Sequence, residues 1–150
     1  MKLYLDVSCL NRPYDDQRQS RVRPETEAIA LIFEAFKANR WQHISSEMSE
    51  IEISKIVDEE RRHRVELLLP PKAVIFELND RVLERGGDIV RLGFGAADAT
   101  HVAAAEFLKL DAFLSCDDKL CRTARRHRRA LRVHVANPLE WIKDHDPNAE

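Results

Sequence analysis

The apolar positions of the chain fall into short runs of two different spacings, and the two alternate. Lys2 to Val7 is a mostly apolar run rich in strand formers, which predicts a buried first strand ending at Asp6. Ile29, Leu31, Ile32, Phe33, Ala35 and Phe36 keep helical spacing up to about Ala38, behind a first turn of Pro24-Glu25-Thr26-Glu27 that tolerates proline and favours acids. Trp41 to Ser45 reads as a second strand, with Ser46 placed to cap a helix that carries Met48, Ile51, Ile53, Ile56 and Val57.

The alternation continues. Asp58 to Leu69 predicts a charged helix stopped by Pro70-Pro71, Ala73 to Leu78 a short third strand, and Asn79 the start of a helix through Leu92 with a candidate break at Gly86-Gly87. Asp98 opens an alanine-rich helix from Ala99 to Leu108, able to pack close to a sheet. Ala112 to Ser115 is a compact strand, Asp117 or Asp118 starts an arginine-rich helix, Leu131 to Val135 is the last strand, and Asn137-Pro138-Leu139 begins a helical turn around Trp141. Strands separated by helices imply an α/β fold: a three-layer α/β/α domain on a central parallel sheet with right-handed crossovers. Residues 8 to 24 show no clear period. Their Asn-Arg-Pro-Tyr-Asp-Asp core has turn chemistry in an unusually long connection, which makes the segment a candidate functional loop.

Composition adds bounds. With 150 residues, 44% hydrophobic and 33% charged, the chain can bury one sizeable core, and a single domain over 1–150 is expected. No apolar run approaches the roughly 18 to 20 residues of a membrane span, and Met-Lys-Leu-Tyr-Leu-Asp has no signal-peptide pattern, so a cytoplasmic protein without a membrane partner is expected. Cys9, Cys116 and Cys121 make neither a disulfide framework nor a zinc spacing and read as reduced, packed thiols. The net charge of -2 does not announce a nucleic-acid binder, yet Arg122 to Arg132 holds six arginines, one histidine and no acid. Such a run is either a solvated helix face or a phosphate-binding patch.

The candidate chemistry lies in the acids. Asp6 and Asp117 each follow a strand, and Asp98 stands at a helix start from which it can point into the same crevice. In the helix after the second strand, Glu52 falls near the middle of the apolar arc while Glu47 and Glu50 project from the polar side, although a shifted register would exchange them. Converging carboxylates are costly unless a cation neutralises them, and hard oxygen donors suit Mg²⁺ or Mn²⁺. The reaction class supported is phosphodiester hydrolysis. Ser8 has a hydroxyl placed either for such a site or for turn capping.

In order along the chain, Leu5-Asp6-Val7-Ser8, Ser45-Ser46-Glu47-Met48-Ser49-Glu50-Ile51-Glu52, Asp98-Ala99-Thr100-His101-Val102-Ala103 and Phe113-Leu114-Ser115-Cys116-Asp117 resemble the PIN-domain family, most of all stand-alone bacterial PIN proteins related to VapC-type toxins. The resemblance covers nearly the whole chain. It implies a metal-dependent ribonuclease, with Asp6, Asp98 and Asp117 as Mg²⁺ or Mn²⁺ ligands, Glu52 completing a catalytic quartet, and Ser8 and Ser115 in supporting polar positions. It also implies an RNA substrate, an antitoxin partner and a homodimer. Arg122, Arg125, Arg126 and Arg129 are the residues expected to bind the RNA backbone. His101, three residues after Asp98, is read as packing and hydrogen bonding rather than ligation. The competing reading is a PIN-like module that binds RNA or protein without strong nuclease activity. The Gly86-Gly87 pair and the long segment after Cys9 depart from the family pattern and bear on the RNA-entry and dimer surfaces.

Overall fold

The computed structural model describes residues 1–149. Five strands, β1 (Lys2–Leu5), β2 (Gln42–Ser46), β3 (Ile75–Phe76), β4 (Ala112–Leu114) and β5 (His134–Ala136), form one sheet in the order β3-β2-β1-β4-β5. Every pairing is parallel, with Leu3 opposite His43 on one side and Ala112 on the other. The helices are α1 (Val7–Asn11), α2 (Val22–Lys37), α3 (Glu47–Ser54), α4 (Glu59–Glu66), α5 (Asp80–Val90), α6 (Ala96–Phe107), α7 (Asp118–Arg126) and α8 (Pro138–Asp144). The expected α/β architecture is the one observed.

Side chains alternate across a strand, so a sheet covered on both faces has two cores. Leu3, Leu5, Ala112, Leu114 and Ala136 point to one face and pack with Leu10 of α1, Ile29 and Ile32 of α2, Ile53 of α3, Val65 of α4 and Trp141 of α8. Tyr4, Phe113 and Val135 point to the other, against Val82 and Ile89 of α5, Ala99 to Ala105 of α6, and Leu120 and Ala124 of α7. The alanines of α6 are what let it lie close to the sheet. No helix among the described residues is long and apolar enough to cross a membrane.

Several expectations need correction. The first strand stops at Leu5, and the segment after it is not irregular: Val7 to Asn11 is helical and buries Val7, Cys9 and Leu10. Five residues are too few to show a helical period. The second helix starts at Val22 rather than Pro24. Asp98 does not open α6 but is its third residue, because Gly95 is the cap. The last strand is His134–Ala136, displaced toward the C-terminus.

Gly86-Gly87 does not break α5, which runs unbroken from Asp80 to Val90. A Cβ added at Gly86 would sit 3.7 Å from Thr100 of α6 and 3.9 Å from the Ala99 carbonyl. Gly86 is buried at the α5–α6 crossing, where packing supplies what glycine lacks in helix propensity. The apolar arc of α3 is also narrower than expected. Ile51 is exposed and Val57, beyond the helix, is 93% exposed, while the buried positions of α3 are Ser49 and Ile53.

Candidate metal centre

The chain leaves β1 toward β2 on one side and returns to β4 on the other, so strand order reverses between β1 and β4. Crevices of parallel sheets open at the strand carboxyl ends at such a reversal. Asp6 stands there, immediately after β1, with its N–H donating to the Leu114 carbonyl at 2.8 Å. It is 5% exposed. Its Oδ2 accepts hydrogen bonds from Ser8 Oγ and Ser115 Oγ, each at 2.7 Å. The same two hydroxyls accept the backbone N–H groups of Cys116, at 3.0 Å, and Asp117, at 3.1 Å. Ser8 and Ser115 therefore lace α1 to the β4–α7 connection through the carboxylate of Asp6.

Glu52 reaches the same edge from α3, where its carboxylate meets His101 Nε2. The two competing glutamates are occupied elsewhere. Glu50 is paired with Lys72 at 2.9 Å, and Glu47 Oε1 accepts the Leu78 N–H. Helix periodicity alone left this register open; packing of α3 against α6 turns Glu52 toward His101. Asp98 is half-buried, and its carboxyl is pushed up to about 6, first by burial and then by the charge of Asp6, with His101 opposing and Asp117 and Glu52 adding. Asp6, Asp117 and Glu52 are thus each near enough to act on Asp98. Asp117 is exposed at the rim and caps α7, accepting the Leu120 N–H at 3.1 Å.

The tightest grouping is Asp6, Glu52 and His101, each offering one donor atom within 4.8 Å of the others. Asp98 and Asp117 stand outside that grouping. The imidazole of His101 is fully buried, 3.9 Å from Asp6 Oδ1 and hydrogen-bonded to Tyr4 through Nδ1. Burial pushes its imidazolium down. Tyr4, the Glu52 hydrogen bond and the charges of Asp6 and Glu52 outweigh that and hold it up at about 10.

Burial first, and then the neighbouring carboxylates, hold the Asp98 carboxyl up, and the donors that these acids offer are hard oxygens. Asp6 and Glu52, which offer carboxylate oxygens within reach of one ion, suit a divalent cation such as Mg²⁺ or Mn²⁺. The thiols nearby do not take part. Cys9 and Cys116 lie 3.8 Å apart, and all three cysteines are buried and free. Burial holds the Cys9 and Cys121 thiols well above the usual range, which makes them packing groups.

Two groups escaped the reading of the sequence. One is the buried Glu25, which faces Arg12 at 3.0 Å and Arg21 at 3.1 Å and accepts from Asn137. Arg21 also pairs with Asp118 and donates to the Cys116 carbonyl at 3.1 Å, pinning the segment after α1 beside the site. The other is Tyr4, whose hydroxyl lies in a buried network behind His101. A tyrosine at a fully buried strand position demands a partner for its hydroxyl, which was the available signal. Arg122, Arg125, Arg126 and Arg129 are all exposed. Among the described residues they form no ion pair, and Arg126 ends α7 about 12 Å along the helix from Asp118.

The all-parallel sheet, covered by helices on both faces, with acids beside its central strand reversal, defines the chain as a three-layer α/β domain. The chain belongs to the PIN domain family, whose sequence pattern matches residues 3–126. Among solved structures it is similar to a chain of VapBC2 from Rickettsia felis, crystallised bound to a DNA fragment from their promoter. The TM-score is 0.56 with 12% identity, covering 91% of this chain and 98% of that one. No curated protein matches the chain.

Proposed function

We propose that this protein is a metal-dependent ribonuclease that hydrolyses RNA phosphodiester bonds and acts as the toxin of a type II toxin–antitoxin pair. The observation that carries the reading is the meeting of Asp6 and Glu52, within reach of one ion, at the strand reversal of a PIN domain, with Asp98 near enough to feel their charges. Asp6, Asp98 and Asp117 hold the ion, and Glu52 completes the set. A divalent cation bound there supplies charge neutralisation for the phosphodiester and lowers the pKa of a water.

The chain's own residues do the rest. Ser8 and Ser115 fix the Asp6 carboxylate so that Oδ1 faces the cluster. The exposed rim position of Asp117 keeps one side open to substrate. Arg122, Arg125, Arg126 and Arg129 are free to take RNA phosphates, which predicts binding that weakens steeply with salt. An antitoxin partner is supported by the likeness to the VapBC2 complex. Leu83, Val90 and Phe107, exposed on α5 and α6, offer apolar surface for a homodimer.

The test is cleavage of a mixed RNA panel with Mg²⁺ or Mn²⁺, against EDTA and against Asp98→Asn. Cleavage that needs metal and disappears in the variant is expected. If wild type is inactive and calorimetry detects no metal binding, the reading falls and a binding module takes its place.

A further inference from the structure

Behind Glu52 lies a chain of buried hydrogen bonds that no acid of the cluster explains. The Tyr4 hydroxyl sits 2.6 Å from Ser46 Oγ and 3.4 Å from Ser49 Oγ, and it contacts His101 Nδ1. Ser49 accepts from Ser45 at 2.9 Å, and Ser46 Oγ also accepts the Met48 N–H that caps α3. Tyr4, Ser45, Ser46, Ser49 and His101 are each 0% exposed. The His101 ring is further held by Phe113, stacked at 5.8 Å, and by the edge of Tyr4 at 5.4 Å. The network runs from the core to the Oε1 atom of Glu52.

Donor accounting fixes the hydrogen on Nε2. A neutral imidazole that accepts the Tyr4 O–H at Nδ1 must carry its proton on Nε2, where it donates to Glu52. An imidazolium donates at both nitrogens and gives the same result at Nε2. The remaining tautomer would set a bare nitrogen lone pair against a carboxylate, on a ring that is fully buried and has no water to turn to. Although Nε2 lies close enough to Asp6 and Glu52 to be counted with them, it has no lone pair to give a cation.

We infer that His101 is a positioning residue rather than a metal ligand: Tyr4 and Ser46 fix its ring, and its Nε2–H fixes the Glu52 carboxylate toward Asp6. Partners of this kind behind a ligating group typically contribute about 10- to 100-fold in metal affinity or activity. The device joins three elements. Tyr4 comes from β1, Ser46 from the end of β2 and His101 from α6, so the rotamer of an acid on α3 is set by the sheet.

The inference rests on the metal-centre reading, and its tests use binding and protonation rather than cleavage. Mn²⁺ affinity is measured by electron paramagnetic resonance for wild type, Tyr4→Phe, Glu52→Ala and the double variant. Tyr4→Phe, which touches no acid, is expected to weaken Mn²⁺ about 10-fold in the wild-type background and less than about twofold in Glu52→Ala. Equal losses in both backgrounds, or none in the first, overturn the inference. Because Tyr4→Phe could fail to fold, the wild-type protein is also examined by ¹⁵N NMR of the imidazoles, with the His101 signal assigned by its loss in His101→Asn. An Nε2–H retained through saturation with Mg²⁺ is expected; loss of that proton on adding Mg²⁺ identifies a ligand and overturns the inference. If RNA is not cleaved while the Mn²⁺ coupling holds, the nuclease reading falls and the positioning role stands. A chain that binds no Mn²⁺ at all removes both.

Discussion

The Ser115 hydroxyl lies 2.7 Å from Asp6 Oδ2 and accepts the Asp117 N–H at 3.1 Å. One buried oxygen on the β4 side thus ties the acid that follows β1 to the acid that caps α7. Ser115→Ala removes both bonds without changing the shape of the site. We expect a loss of about 1 to 2 kcal/mol in unfolding free energy, read by urea denaturation, together with weaker metal binding. A variant with unchanged stability and unchanged Mn²⁺ affinity would show that Asp6 is held by Ser8 alone.

Glu25 is the buried anion between Arg12 and Arg21, and it also accepts from Asn137 ahead of α8. Glu25→Ala leaves the Arg12 guanidinium, only 16% exposed, without that partner. Removing one member of a buried pair costs on the order of 3 kcal/mol. The melting temperature is expected to drop sharply, and limited proteolysis should then cut near Arg18, whose side chain is already 91% exposed. Resistance of that segment in the variant would mean that Arg61, through Asp15 and the Tyr14 carbonyl, holds it instead.

Gly87 lies inside α5, and a Cβ there meets nothing within 4 Å. Gly87→Ala is expected to stabilise the protein by about 0.5 to 1 kcal/mol, because alanine gives up less backbone freedom on entering a helix. Differential scanning calorimetry should show a raised melting temperature. A lowered one would mean that this exposed glycine is filled by a neighbour in solution, as a dimer on the α5 face would do.

His43 packs against Phe36, stacked at 4.7 Å, and Phe33, and its buried Nε2 has no hydrogen-bond partner among the described residues. Burial pushes its pKa down to about 4. The unfolded chain takes up this proton near pH 6.5 and the folded protein only near 4, so the unfolded state binds more protons in between. Stability is therefore full above about pH 6.5 and falls by about 1.4 kcal/mol per pH unit as pH drops toward 4. Comparing denaturation curves of wild type and His43→Leu isolates this slope, which should be absent from the variant.

Apart from the five-residue α1, the sequence by itself determined the order of strands and helices, the parallel sheet and the identity of the acids that follow β1 and β4. These are local matters: a strand or a capped helix is written in the spacing and end residues of one segment, as with Ser46 before α3 and Asn79 before α5. Tertiary structure decided what depends on contacts between distant segments. Whether Glu47, Glu50 or Glu52 faces the crevice is set by the packing of α3 on α6, since all three lie within two turns of one helix. Gly86 is helical because α6 lies against it, and α1 forms from five residues because Leu5, Leu114 and Cys116 cover its apolar side. The Tyr4–His101–Glu52 network joins residues 97 and 49 positions apart. Hydrogen-bond partners separated in that way leave no periodic trace along the chain, and the fold alone brings them together.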